Sequence, residues 1–129
     1  MASVRTLVVE DHPLFIQFLC SELEKNGCQI IAQAADGLDA VKKAEELKPD
    51  LILLDLGLPK LNGIEVLRRV HKLCPESKIL VVSQDSSSEI VQAALRLGAN
   101  GYLLKSDAAD LQLAVDAVLQ GKEFISGRR

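Results

Sequence analysis

The chain has 129 residues, 48% of them apolar and 26% charged, with a formal charge of −3 and only 3% aromatics. These values suit one globular domain with an aliphatic core, and they argue against a surface that grips duplex phosphates or stacks single-stranded bases. The three cysteines, Cys20, Cys28 and Cys74, form neither a paired motif nor a disulfide framework. No apolar run reaches membrane-spanning length and no basic-then-apolar leader is present, so the expected location is the cytoplasm.

The first predicted element is a strand over Val4 to Val9, ending in the acidic pair Glu10-Asp11. Pro13 suits the first turn of a helix, where its missing N–H costs nothing. Phe15, Leu19 and Leu23, with Phe18 beside them, make its apolar face, and Asn26-Gly27 stops it. A weaker strand follows over Gln29 to Ala35. Asp36-Gly37 starts a second helix with Ala40, Val41, Ala44 and Leu47 on one face, closed by Pro49. The run Leu51-Ile52-Leu53-Leu54 is apolar on both faces, the mark of a central strand in a sheet covered on both sides. It ends in Asp55.

Asn62-Gly63 begins a third helix, with Ile64, Leu67 and Val70 inward and Arg68, Arg69 and Lys72 outward. Lys78 to Ser83 is a second wholly apolar strand and stops in a hydroxyl. Ser86 to Glu89 matches a capping box for the fourth helix, which carries Ile90, Ala93, Ala94 and Leu97. Gly101 to Lys105 is the fifth strand. Asp107 is the expected cap of the last helix, whose buried stripe is Leu111, Ala114, Val115 and Val118. His12 and His71 are expected in capping or solvent-exposed roles. Five strands alternating with five helices predict an α/β parallel sheet with helices on both faces.

In such a sheet the strand ends share one edge, where ligands of open α/β folds bind. Glu10, Asp11, Asp55, Ser83 and Lys105 would meet there. Each has an ordinary structural excuse, since acids cap helices and a strand-end lysine can simply be solvated. Their coincidence points to chemistry. Clustered carboxylates repel unless a cation sits among them, and hard oxygen donors suit Mg2+, which shares its shell with phosphate. A lysine and a hydroxyl opposite suit the remaining phosphoryl oxygens.

The ordered set Glu10-Asp11, Asp55, Leu58-Pro59, Asn62-Gly63, Ser83, and Tyr102 three residues before Lys105 resembles a receiver domain of a two-component response regulator. The resemblance implies a flavodoxin-like, doubly wound five-stranded sheet of order 2-1-3-4-5. It implies that Asp55 accepts a phosphoryl group from the phosphohistidine of a sensor kinase or phosphotransfer protein. Asp11, Asp55 and the Gly57 backbone carbonyl would hold Mg2+, with Glu10 acting through water. Ser83 and Lys105 would contact phosphoryl oxygens, and Tyr102 would turn inward as Ser83 moves. Composition alone would make Tyr102 a half-buried edge aromatic with a wet hydroxyl.

Gln84, Gly57 and Asp85 depart from the commonest pattern around the phosphoacceptor and are expected to modulate phosphorylation and dephosphorylation rates. Lys105 is followed by Ser106 where many receivers have proline. The run Gly101 to Ser106 resembles the subgroup with a C-terminal helix-turn-helix DNA-binding domain. Residues 1–121 then read as the receiver and 122–129 as a tail or the start of a linker. A second copy of the chain is a further partner the resemblance admits; a membrane is not, nor is nucleic acid bound by this domain itself.

Two other readings stay open at the level of residues. A phosphohydrolase of the haloacid dehalogenase type also uses a strand-end aspartate, Mg2+ and a lysine, but wants an acid where Gly57 stands. A degenerate receiver would act as an interaction module without phosphorylation. A nucleotide-binding module would need a glycine-rich loop after the first strand, where Asp11-His12-Pro13 stands.

Overall fold

The computed structural model describes residues 3–127. Its strands are β1 (Val4–Val9), β2 (Cys28–Ala34), β3 (Leu51–Leu54), β4 (Lys78–Ser83), β5 (Gly101–Leu104) and β6 (Phe124–Ile125), all parallel, in the order β2-β1-β3-β4-β5-β6. The helices are α1 (Pro13–Lys25), α2 (Gly37–Leu47), α3 (Gly63–Leu73), α4 (Ser88–Arg96) and α5 (Leu111–Leu119). No helix among the described residues is long and apolar enough to cross a membrane.

The central strands β3 and β4 carry unbroken apolar runs because both their faces are covered. Leu7, Val9, Ile52, Leu54, Ile79 and Val81 pack under α2, α3 and α4, against Ala40, Ala44, Val66, Leu67, Val70 and Ala94. The alternate residues Val8, Leu51, Leu53, Leu80 and Val82 pack under α1 and α5, against Leu19, Leu23, Leu111, Val115 and Val118. This two-sided core fixes the register, since a one-residue slip would exchange the two faces.

The sheet has six strands, not the expected five. After α5, Gly121 takes a left-handed φ of +80° and the chain returns to pair Phe124 and Ile125 with Gly101 and Tyr102. Two apolar residues between Glu123 and Ser126 are too few to announce a strand. Part of the stretch read as a tail is thus sheet; residues 1–2 and 128–129 of the expected segments lie outside the described residues.

Local expectations fared unevenly. Pro13 does open α1, with the His12 ring nitrogen accepting the Phe15 amide as its cap. The α4 cap is Ser87 rather than Ser86, because the Asp85 carboxylate takes the Ser87 amide at 2.9 Å and sets the turn one residue later. Asp107 does not cap α5. A 3₁₀ turn over Lys105–Asp110 intervenes, and the Asp107 carboxylate accepts the Ser126 hydroxyl instead. His71 is half-buried rather than solvated, because its ring lies on Gly98, where an added Cβ would fall 2.4 Å from the ring. Phe18 stays at the surface, stacked on Phe15 with ring centres 5.8 Å apart.

Candidate functional site

β1 and β3 lie side by side with Val9 opposite Leu54, so the residues that follow them emerge together. The Asp55 amide donates to the Val9 carbonyl and the Glu10 amide to the Ala34 carbonyl, each at 3.0 Å. Glu10 is 1% exposed and Asp55 6%, while Asp11 is open to solvent. Glu10 Oε2 accepts the amides of Asp11 and His12 at 3.1 and 3.0 Å, which curls the chain into α1 and leaves Oε1 turned inward. Asp55 Oδ1 accepts the Gly57 amide at 3.0 Å. Glu10, Asp11 and Asp55 each offer an oxygen within 4.8 Å of the others.

Lys105 reaches this cluster from the end of β5. Its Nζ lies 2.8 Å from Glu10 Oε1 and 3.4 Å from Asp55 Oδ2. The first is an ion pair rather than an aligned hydrogen bond, since Oε1 takes none. The Phe15 ring sits under the same ammonium at 4.9 Å, a cation–π contact that confines it from the other side. Burial opposes the charge on Lys105, but the two carboxylates outweigh it and raise its pKa. Burial raises the pKa of Glu10 despite Lys105 and the His12 amide, and the Asp55 charge adds to it. Three close carboxylates with a single ammonium beside them are a donor set that fits a small hard cation.

The far wall is the end of β4 and the loop after it. Ser83 is buried, and its hydroxyl oxygen accepts the Asp85 amide at 3.1 Å. Tyr102, opposite Val81 in the sheet, is 1% exposed rather than half-buried, because its side chain packs into the core cluster that holds Val81, Ala94 and Ala99. Its hydroxyl donates to the Asp85 carbonyl at 2.6 Å. Burial raises its pKa, with the Ser83 hydroxyl partly offsetting this. Asp85 is therefore held through its amide, its carbonyl and its carboxylate. Gln84 is exposed on the rim.

Together Glu10, Asp11, Asp55, Gly57, Ser83, Gln84, Asp85 and Lys105 line one cleft of about 470 Å³. Every residue expected at the site lines it except Tyr102, which stands behind Asp85. A Cβ on Gly57 would meet only Asp55 Oδ1, at 3.6 Å, so the glycine leaves space there rather than relieving strain. The peptide bonds among the described residues are all trans, Lys105–Ser106 included. Sequence reasoning missed Phe15, which looked like one more core residue of α1.

The sequence matches the response regulator receiver domain family over residues 6–116. It is 36% identical over 127 residues to the transcriptional regulatory protein DegU of Brevibacillus brevis, covering 95% of this chain and 52% of that protein. It is 33% identical over 101 residues to the chemotaxis protein CheY of Thermotoga maritima, covering 78% of this chain and 84% of that one. The fold superposes on the crystal structure of a two-component response regulator of the LuxR family from an Aurantimonas species. The TM-score is 0.90 at 32% identity, with 98% of this chain and 91% of the other covered. The chain spans about half the length of the DegU protein it matches.

Proposed function

The chain belongs to the response regulator receiver domain family and is a phosphoacceptor signalling switch; we propose that Asp55 is the acceptor and that the donor is the phosphohistidine of a sensor kinase or phosphotransfer protein. The observation that carries this reading is the setting of Asp55. It is nearly buried at a strand end, flanked by two more carboxylates and faced by an ammonium, at the floor of an open cleft.

In the proposed step an oxygen of Asp55 attacks phosphorus, the bond from phosphorus to the donor imidazole nitrogen breaks, and that nitrogen keeps the electron pair. Asp11, Asp55 and the Gly57 carbonyl, with Glu10 through water, would hold Mg2+, which when bound supplies positive charge against the phosphoryl oxygens. Lys105 is aimed at the same oxygens by Glu10 and Phe15. The Ser83 hydroxyl can donate to one of them, exchanging its contact with the Asp85 amide as the β4–α4 loop moves. Because Tyr102 also holds Asp85, that movement is passed to β5 and the surface around it. Gln84, Gly57 and Asp85 lie where they would govern access of small donors and of hydrolytic water, and hence the rates of the domain's own phosphorylation and dephosphorylation.

The resemblance to DegU and to a LuxR-family regulator supports a transcriptional output. On this reading a DNA-binding domain following the receiver carries it in the cytoplasm, and the receiver itself touches neither DNA nor membrane. Incubation with a phosphorylated kinase and Mg2+ tests the acceptor assignment. Label is expected on the wild type and not on Asp55→Asn; equal labelling of both would overturn it.

A further inference from the structure

Ser126, just past β6, is absent from the chemistry above, yet it holds the chain on both sides of Lys105. Its amide donates to the Tyr102 carbonyl at 2.8 Å, three residues before the lysine. Its hydroxyl donates to Asp107 Oδ2, two residues after it. Between these points the backbone turns from the extended end of β5 into the 3₁₀ segment, with Asp107 itself at non-helical angles of φ −107° and ψ 27°. Both arms of the turn that carries Lys105 are thus fixed by one residue at the end of the neighbouring edge strand. The hydroxyl-to-carboxylate bond is of the stronger, charge-assisted kind, and both partners are half-buried.

We propose that Ser126 is a positioning residue for Lys105, acting through Asp107, so that the strand by which the chain leaves the sheet is energetically coupled to the phosphoryl site. The ammonium rides on a long flexible stem, and a small tilt of its backbone is magnified at Nζ. Its distal end is held by Glu10, Asp55 and Phe15; its root is held by Ser126 and Asp107. Coupling of this kind is reciprocal. A group that binds on Asp55 and engages Lys105 tightens the Ser126 clasp, and β6 becomes more protected. β6 is then an anchor that senses the site.

This inference rests on the phosphoacceptor reading, and one titration separates the two. Beryllofluoride, a mimic of the bound phosphoryl group, is titrated at saturating Mg2+ into the full chain, its Ser126 and Asp107 variants, and Asp55→Asn; Mg2+ alone is titrated in parallel. Ser126→Ala is expected to weaken beryllofluoride about threefold to tenfold, the effect of one hydrogen bond to a charged group felt in part at a distance. Its Mg2+ affinity should be unchanged, because the acids are untouched. Ser126→Thr should restore tight binding. Asp107→Ala should match Ser126→Ala, and the double variant should lose nothing more. Wild-type beryllofluoride affinity in Ser126→Ala, or an equal fall in both ligands, overturns the positioning role and leaves the acceptor assignment standing. Binding that is absent from the wild type, or equal in Asp55→Asn, overturns both.

Discussion

At the scale of single residues the site is a balance of charge. Glu10, Asp11 and Asp55 are crowded together with Lys105 as their close cation, so a bound divalent ion should stabilise the fold by linkage. At a free Mg2+ concentration of about 100 times Kd the gain is about 2.7 kcal/mol. Thermal unfolding with and without Mg2+ should show a clear rise in Tm for the wild type and little or none for Asp11→Asn. An equal rise in both would remove Asp11 from the ligand set. The residues of this site were readable because a buried apolar run that stops at Asp55, Ser83 or Lys105 makes the terminal residue conspicuous. The contacts that tune them were not. Phe15 sits at a core-facing position of α1, and nothing in its spacing says that its ring lies under an ammonium from β5.

At the scale of elements, α3 shows how a helix start shapes the site. Its first residue, Gly63, packs so closely on the chain after Asp55 that an added Cβ would overlap the Leu56 backbone, well inside van der Waals contact. Gly63→Ala should therefore push Leu56 away, costing about 1–3 kcal/mol and slowing phosphorylation, whereas Gly57→Ala should fold as the wild type does. Denaturant midpoints and labelling rates of the two variants make the comparison. Further along α3, Arg68 and Arg69 hold the Glu65 carboxyl down to about 2 from an ordinary 4.5. A depressed acid adds stability above its unfolded pKa and loses it as pH falls through the folded one. The difference in stability between wild type and Glu65→Gln should thus be constant above pH 4.5 and fade toward about 2; the group is exposed, so the difference is small. A difference that instead grew on acidification would contradict the pairing.

The same scale marks where sequence patterns stop. Strands β1, β3 and β4 were legible because each carries three or four consecutive apolar residues that stop at a polar one. β6 was not, since two residues carry no period and its reason to exist is the open edge of β5. His71 has charged neighbours in sequence, and only the close approach of Gly98 shows that its ring is partly covered. The bond between Ser126 and Asp107, 19 residues apart, follows from where β6 docks.

At the scale of the whole molecule, a parallel sheet with a two-sided aliphatic core brings one edge's strand ends together and holds them still. On the proposed reading movement falls to the β4–α4 loop, whose Asp85 joins Ser83 to Tyr102. The central claim is that this edge exists to receive a phosphoryl group on Asp55. It is tested most directly by treating the full chain with Mg2+ and a small acyl phosphate donor or a phosphorylated kinase, reducing the product with borohydride and sequencing the peptides by mass spectrometry. Borohydride converts an aspartyl phosphate to homoserine. Homoserine is expected at position 55 and at no other acid; homoserine at Asp11, 5-hydroxynorvaline at Glu10, or a phosphoryl group found only on a histidine or serine, would contradict the assignment.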